Sequence, residues 1–415
     1  MQKSDRNKGL LTTAEEITDL SRKLEPEKVI SFDTEFIRES TFYPIVEIIQ
    51  VATETESWLV DAQAFKKRAK SATNSPPNSP SSYDPGLQPL LDIFTNPQIL
   101  KIVHAAQGDQ ECLYTSFGVV ASPTLDTAVA ASLCGYGDGI GLARLLQIVL
   151  NVAVKKGHAR TNWSVRPLPE HLLNYAHEDV KYLVLLGKKL LDQLDTLKRK
   201  PWALELSAKY EDKSLYEIDV EKMAHKLARG RRLDPKAYAT LFALVKWREE
   251  RIKKLNLPRR WVADDNVLLD LAQVKPKDMP HLSSFRGLNK GELKASGELI
   301  LEIIARATEE VEPHFARPEK ALVPTQSEAQ VLDLLKCFVN ILADAHHVAP
   351  KHLMTSNQLL PLLRNKVENE ADLRSLGILS EEANRLIGKE LLEFVQGKKA
   401  LWIKKNRIEV RDLDS

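Results

Sequence analysis

The sequence has few cysteines and no long apolar segment. Its three cysteines, Cys112, Cys134 and Cys337, form no Cys-x-x-Cys pair. This argues against a disulfide framework and a cysteine-based zinc site, and it favours small buried side chains. No run of eighteen apolar residues occurs, and the first twenty residues contain no apolar signal segment. We therefore expect a cytoplasmic protein without a membrane association.

The sequence also lacks an overall excess of positive or negative charge, because the net charge is only +2. The exception lies between Glu221 and Trp261, where thirteen Lys or Arg residues stand against four acids. Such a block is typical either of a solvated helix face or of a surface that binds phosphates. Charge alone does not separate these two interpretations.

The chain length indicates two or three domains, because 415 residues are more than a single domain with one hydrophobic core typically contains. From about Val29 to about Leu194, strand-like runs alternate with helical ones, which predicts an α/β domain. The segment 69–88, "AKSATNSPPNSPSSYDPGLQ", interrupts this pattern. Because its Pro, Ser and Asn residues bury little apolar area, we expect a mobile surface insertion.

After Lys198 the strand signal disappears and apolar residues recur at helical spacing, so we expect the second half to be all helix. It contains a weak repeat, "LPRRWVADDNVLLDLAQ" and "APKHLMTSNQLLPLLRN". Pro258 matches Pro350 and Leu268 matches Leu360, each by a shift of 92 residues. The repeat predicts two copies of one small helical domain.

Acidic residues at three places suggest a metal site. In "VISFDTEFIR", Asp33 and Glu35 lie two apart on a strand, so their side chains point to the same side. Two adjacent carboxylates repel unless a cation lies between them, and hard oxygen ligands suit Mg²⁺ or Mn²⁺. A lone Asp-x-Glu is common in acidic loops, so this pair alone does not predict a site.

Two further segments strengthen that prediction. "IVHAAQGD" leads from an apolar strand to Asp109 at the start of a helix. "LLNYAHEDVKYL" places Tyr175 and Asp179 four apart, on one face of a helix. Together with Asp33 and Glu35, these residues supply four acids, enough to hold two divalent ions.

At this point the sequence resembles a known family. The segments "DTEFIRESTFYPIVEIIQVA", "HAAQGD", "LDTAVAASL" and "RTNWSVRPLPEHLLNYAHEDVKYL" resemble ribonuclease D, of the tyrosine subtype of the DEDD exonuclease superfamily. "LVKWREERIKKLNLPRRWVADDNVLLDLAQVKP" is similar to the helicase-and-ribonuclease-D C-terminal (HRDC) domain. The resemblance implies a ribonuclease-H-like α/β exonuclease domain, a mixed sheet with flanking helices, in residues 1–200. Two all-α HRDC-type domains would follow in residues 201–312 and 313–415.

The resemblance also implies an activity, metal-dependent 3′–5′ exoribonuclease action that trims tRNA precursors and other structured RNAs and releases nucleoside 5′-monophosphates. Two ions, Mg²⁺ or Mn²⁺, would be held by Asp33, Glu35, Asp109 and Asp179. Asp33 would bridge the ions, Glu35 and Asp179 would complete the first site, and Asp109 would serve the second. Tyr175 would orient the attacking water or help to deprotonate it.

The expected partner is RNA with a single-stranded 3′ end, bound by a monomer. No Gly-x-x-x-x-Gly-Lys-Ser/Thr segment is present, so no nucleotide cofactor is expected. The candidate RNA-binding residues are basic side chains before the tyrosine helix and in the basic block. They are Lys156, Arg160, Arg166, Arg231, Arg232, Lys253, Lys254, Arg259 and Arg260.

Two alternatives remain open from the sequence. A 3′–5′ DNA exonuclease of the Werner or proofreading type would use the same four acids. A catalytically inactive exonuclease fold retained as an RNA-binding protein would keep the basic block, but it would have no need of the acids.

Overall fold

The computed structural model of the protein describes residues 9–67, 83–154, 161–309 and 324–413. Most strands lie in the first third of the chain, where apolar and polar residues alternate. The strands of the described residues are β1 (Leu10–Leu11), β2 (Val29–Ile37), β3 (Ile45–Ala52), β4 (Ser57–Asp61), β5 (Leu100–Val103), β6 (Thr124–Asp126), β7 (Lys399–Lys404) and β8 (Arg407–Asp412).

Helices make up most of the remaining structure, and many begin at an Asp, Thr, Ser or Asn whose side chain caps the first turn. Those before residue 209 are α1 (Ala14–Leu24), α2 (Gln88–Thr95), α3 (Gln107–Phe117), α4 (Thr127–Leu133), α5 (Leu142–Leu150), α6 (Glu170–Lys181), α7 (Leu183–Thr196) and α8 (Lys200–Ala208). Those after it are α9 (Val220–Ala228), α10 (Pro235–Leu255), α11 (Arg259–Val262), α12 (Asp265–Val274), α13 (Met279–Ser283), α14 (Lys290–Glu309), α15 (Gln326–His346), α16 (Pro350–Leu353), α17 (Ser356–Arg364), α18 (Glu370–Ser375) and α19 (Glu381–Val395).

The first six strands form one mixed sheet with the order β1-β4-β3-β2-β5-β6. β2 runs antiparallel to β3 and parallel to β5, and β3 runs antiparallel to β4. One face of the sheet carries a large apolar core that includes Phe32 on β2 together with Leu20 of α1 and Leu113 of α3. Because side chains alternate along a strand, Ser31, Asp33 and Glu35 point to the opposite face.

The described residues form two compact units. The first takes its residues from 1–124, 157–184 and 208–321, and it contains most of the sheet, α6 and the helices α9 to α14. Within it, the loop after β2 reaches the helical core, where Phe42 is buried. The side-chain oxygen of Asn256, at the C-terminal end of α10, accepts hydrogen bonds from the backbone N–H groups of Phe42 (3.1 Å) and Tyr43 (3.0 Å). The strand that carries Asp33 is thereby joined to the helices.

The second unit takes its residues from 125–156, 185–207 and 322–415. The guanidinium of Arg199 donates to the backbone oxygens of Leu133 and His346, both at 2.7 Å. Gly135 has φ +87°, and a Cβ there would lie 2.8 Å from the Cβ of His347. This close approach requires glycine at position 135.

The helical repeat is confirmed, but its register is 91 residues and not 92. Each of the helices α10 to α14 has a counterpart in α15 to α19 that begins 91 residues later. The left-handed residue that ends α10, Asn256 (φ 51°), corresponds to His347 (φ 52°). Buried Leu268 therefore corresponds to Leu359, and Pro258 corresponds to Ala349 rather than to Pro350. The one-residue error arose because the two prolines were matched by residue type. They occupy different helix positions, since Pro258 precedes α11 and Pro350 is the first residue of α16.

Two further expectations need correction. The second half is not all helix, because β7 and β8 pair as an antiparallel hairpin at residues 399–412. Residues 69–82 of the Pro/Ser-rich segment lie outside the described residues, but 83–88 are packed rather than mobile, since Tyr83 and Leu87 are buried. The division into domains at 200/201 and 312/313 stays a prediction.

Candidate active site

Three of the four predicted acids converge. Asp33, Glu35 and Asp179 each offer a carboxylate oxygen, and these oxygens lie within 4.8 Å of one another. Asp33 and Glu35 come from the same face of β2, and Asp179 comes from α6, which packs on that face. The sequence spacing predicted the first pair, whereas the approach of α6 depends on the tertiary structure.

Two kinds of contact hold α6 against the sheet. The Ser31 hydroxyl, on the face that carries Asp33, donates to the backbone oxygen of Val180 at 3.0 Å. Ile48 of β3 and Leu59 of β4 form an apolar cluster with helix residues that include Leu172. These contacts place Asp179, one residue before Val180, beside the acids of β2.

Asp109 stands apart from this group of three. It lies in the first turn of α3, and its Oδ1 accepts hydrogen bonds from the backbone N–H (2.9 Å) and the hydroxyl (2.6 Å) of Thr34. Thr34 occupies the strand position between Asp33 and Glu35, and its side chain therefore points to the other face. Asp109 nevertheless raises the pKa of Asp33 and of Glu35, so its charge acts on the cluster.

The cluster is electrostatically costly without a cation. Burial, with the negative charge of Asp179 and Asp109, raises the pKa of Glu35 to about 8. Burial also raises the pKa of Asp179 to about 7, although a hydrogen bond from Tyr175 opposes that change. The pKa of Asp33 lies well above its usual range, first because of burial and then because of the neighbouring acids. Three carboxyls with raised pKa values are typical of a site for positive charge.

Tyr175 lies one helical turn before Asp179, as the sequence predicted, and the two side chains are hydrogen-bonded. Burial and the charge of Asp179 raise the pKa of the Tyr175 hydroxyl. The ring lies 6.2 Å from that of Trp163, centroid to centroid. Trp163 is 2% exposed, so the tyrosine ring is supported on that side by a buried side chain.

Gln50 is a residue that sequence reasoning missed. It is fully buried on β3, directly opposite Asp33 in the strand register. Neither polar atom of its side-chain amide has a hydrogen-bond partner among the described residues. A signal was present in "VEIIQVA", where Gln50 interrupts an apolar strand and cannot be buried cheaply without a partner.

The structure gives Arg166 a different role from the phosphate contact expected of it. Its Nε and one Nη donate to the two carboxylate oxygens of Asp61 at 2.7 and 2.8 Å. The Nη that binds Asp61 also pairs with a carboxylate oxygen of Glu47 at 3.2 Å, and the other Nη donates to the backbone oxygen of Trp163 at 2.6 Å. Every guanidinium nitrogen therefore binds a protein acceptor, and Arg166 fastens the segment around Trp163 to β3 and β4.

The other candidate RNA-binding residues differ in accessibility. Arg231, Arg232, Lys254 and Arg260 are exposed and Lys253 is half-buried, whereas Lys156 and Arg160 lie outside the described residues. Arg259 pairs with buried Glu249 at 3.0 Å and lies over the ring of Phe42. Part of the basic block therefore stabilises the fold and is less available to a ligand.

None of the helices in the described part of the chain combines the length and the apolar character that spanning a bilayer requires.

The chain is similar to known proteins along most of its length. The 3′-5′ exonuclease family matches residues 10–195, and the HRDC domain family matches residues 239–304. Ribonuclease D of Bartonella henselae is 30% identical over 385 residues, which are 92% of this chain and 89% of that protein. Ribonuclease D of Acidiphilium cryptum is 30% identical over 409 residues, 97% of each chain.

The fold has a solved counterpart as well. The crystal structure of Escherichia coli RNase D, an exoribonuclease involved in structured RNA processing, aligns with a TM-score of 0.75 and 22% identity. The alignment covers 94% of this chain and 99% of that one, and at this identity it shows the fold alone.

These findings confirm the predicted fold class, a mixed sheet with flanking helices followed by a helical region that contains an HRDC domain. Relatives named ribonuclease D favour action on RNA, and they do not favour the alternatives of a DNA exonuclease or an inactive binding protein. The chain belongs to the ribonuclease D family of 3′-5′ exoribonucleases.

Proposed function

We propose that Asp33, Glu35, Asp109 and Asp179 hold two divalent ions, Mg²⁺ or Mn²⁺, with which the protein removes nucleotides from the 3′ end of RNA. The observation that carries this proposal is the convergence of Asp33, Glu35 and Asp179 within 4.8 Å, since carboxylates this close repel one another and a bound cation would relieve that repulsion. Asp33 would bridge the two ions, with Glu35 and Asp179 at the first and Asp109 at the second.

The donor set fits these metals in two respects. All the candidate ligands are carboxylate oxygens, which Mg²⁺ and Mn²⁺ prefer over the nitrogen and sulfur ligands that suit zinc. The amide of Gln50 is buried opposite Asp33 without a hydrogen-bond partner among the described residues, and Mg²⁺ usually retains several bound waters. Such a water would supply the missing partner.

Different side chains of the site would have different roles in an in-line displacement at the RNA phosphate. When bound, the divalent ions lower the pKa of the attacking water and stabilise charge on the leaving 3′ oxygen. The tyrosine hydroxyl at position 175 orients the carboxylate of Asp179 and the nucleophile beside it, because it is already hydrogen-bonded to that carboxylate. Thr34 fixes the carboxylate of Asp109 through two hydrogen bonds.

We further propose that the substrates are tRNA precursors and other structured RNAs with a single-stranded 3′ tail. This rests on the relatives named ribonuclease D and on the solved structure whose protein processes structured RNA. Exposed basic residues of the helical region, Arg231, Arg232, Lys254 and Arg260, would contact phosphates without reading bases. Lys253, which is half-buried, and Arg259, which pairs with Glu249, would make weaker contacts. The monomeric state and the cytoplasmic location remain predictions.

The test is digestion of a tRNA precursor that carries a 3′ trailer, with product analysis by chromatography. We expect the trailer to be lost one nucleotide at a time, with nucleoside 5′-monophosphates as the products, and only when Mg²⁺ or Mn²⁺ is present. Release of oligonucleotides, or of 3′-monophosphates, would refute the proposed reaction.

A further inference from the structure

The C-terminal hairpin presents two different faces. β7 and β8 pair in antiparallel register from Lys399 opposite Asp412 to Lys404 opposite Arg407. Directly opposed residues point to the same side, and successive residues alternate. One face, called here the Trp402 face, consists of the pairs Ala400–Arg411, Trp402–Glu409 and Lys404–Arg407.

The opposite face is the one turned toward the protein. Lys399 lies on that face and pairs with Glu393 of α19 at 3.4 Å. Leu401 and Val410, which share it, are partly buried, although Ile403 further along is 79% exposed. The attachment to α19 thus leaves the Trp402 face to solvent.

The Trp402 face combines an accessible aromatic ring with positive charge. Trp402 is 53% exposed, and the guanidinium carbon of Arg411 lies 4.6 Å from its ring centroid. Lys404 and Arg407 are exposed beside it. Glu409 is the one acid among these six residues, and it lies 3.6 Å from Lys404 and 3.8 Å from Arg411. Cations therefore outnumber acids by three to one.

We propose that the Trp402 face is a binding site for single-stranded RNA. A base stacks on the indole or on the guanidinium plane of Arg411, because both are sequence-tolerant stacking surfaces. Lys404 and Arg407 then contact the adjoining phosphates. An exposed ring flanked by cations matches the π-face and negative backbone of a nucleotide better than it matches an apolar partner. The site lies outside the HRDC match and deepens the proposed function, on which the choice of RNA rests.

The first test compares two substitutions of the same kind on opposite faces, Trp402→Thr and Ile403→Thr. Threonine favours strands, so neither change should open the hairpin. The full chain is kept in chelator to prevent digestion, and its Kd for a fluorescent single-stranded oligouridylate is measured by anisotropy. We expect W402T to raise the Kd about tenfold, as for loss of one base stack, and I403T to leave it within about twofold.

The second test measures the charge contribution. The triple variant Lys404→Gln, Arg407→Gln, Arg411→Gln should reduce the slope of log Kd against log salt, by roughly 0.7 for each phosphate contact that is lost. Lys336→Gln is the control, because Lys336 is exposed on α15, where it pairs with Asp333. We expect its slope to equal that of the wild type.

Three results would overturn the site. These are an unchanged Kd for W402T, an equal loss of affinity for W402T and I403T at equal melting temperature, and a dimer that W402T abolishes without a change in RNA affinity. The last would assign the face to a second copy of the chain. Digestion by the wild type with Mg²⁺ is measured separately, so failure of the exonuclease proposal would be visible independently of the binding result.

Discussion

At the scale of single residues, the main feature is a set of carboxylates that repel one another unless protons or a cation balance their charge. Asp33, Glu35 and Asp179 are close, partly buried and mutually repulsive. Sites built for function commonly destabilise the fold in this way, and the ligand compensates when it binds. The stability of the protein should therefore report directly on the metal.

The variant Asp179→Asn tests this link. We expect the melting temperature of the wild type to rise with added Mg²⁺ and that of the variant to stay constant, because one ligand and one charge are lost. In chelator, the variant should melt at the same temperature as the wild type or higher. Differential scanning fluorimetry measures both, with Glu178→Gln, an adjacent acid outside the cluster, as the control. A full Mg²⁺ response in D179N would refute the ligand assignment.

Tyr175→Phe separates orientation from metal binding. The phenylalanine keeps the ring packed near Trp163 but removes the hydroxyl that is hydrogen-bonded to Asp179. We expect kcat on RNA to fall on the order of 100-fold, the usual size for loss of a group that orients a nucleophile. The melting-temperature response to Mg²⁺ should persist. An unchanged kcat would show that Tyr175 only packs.

At the scale of elements, two contacts hold the strands of the site in place. One is the network in which Arg166 binds Asp61 and Glu47 and fastens the segment before α6. The other is the loop after β2, whose Phe42 and Tyr43 N–H groups both bind Asn256. Neither contact involves the reacting groups, so changes in them should act on stability first.

The network predicts a pH dependence. Burial raises the pKa of Glu47 to about 7, although Arg166 opposes the shift. The folded protein thus holds a proton that an unfolded glutamate releases near pH 4.3, and the stability this contributes is lost as the pH rises through about 7. In Glu47→Gln this titration is absent. We expect the melting temperature of the variant to improve relative to the wild type between about pH 5 and about pH 8. A difference constant with pH would contradict the shift.

Asn256→Gly tests the loop contact. Glycine adopts the left-handed conformation of position 256 but removes the acceptor of two N–H groups, so the free energy of unfolding should fall by about 1–2 kcal/mol. His347→Gly is the matched control, because His347 ends α15 in the same conformation and its side chain is exposed. We expect this control to be neutral or stabilising. Denaturant titration measures both, and equal effects of the two substitutions would contradict the prediction.

At the scale of the whole molecule, the parts that the sequence predicted are those with local periodicity. Asp33 with Glu35 follows the period of a strand, and Tyr175 with Asp179 follows that of a helix. Interactions between distant segments were not predictable, so Arg166 was assigned to substrate although Asp61, 105 residues away in sequence, binds it. The repeat shift of 92 residues was wrong for a similar reason. Matching residue types between the two copies did not show where each helix begins and ends.

The HRDC family matches the first copy of the repeat, and the second copy keeps the helix order with other surface residues. Arg260 of the first copy corresponds to Lys351, and exposed Trp261 corresponds to His352, which contacts Ser132 at 2.8 Å within its own unit. The two copies therefore share their helix order, but the position that carries an exposed ring in the first copy makes an internal contact in the second. The chain extends this second copy with the hairpin that carries Trp402.

The carboxylates around Asp33 should form a working metal site for shortening RNA from its 3′ end. The most direct measurement is digestion of a 5′-labelled RNA with an unpaired 3′ tail by the wild type and by Asp33→Asn, with Mg²⁺ or with chelator, beside the matched DNA. We expect the wild type to give a ladder that shortens from the 3′ end only with metal and only on RNA, and we expect D33N to be slower by at least about 100-fold. The proposed metal site would be refuted by shortening that persists in chelator, or by a D33N enzyme of normal melting temperature and undiminished rate.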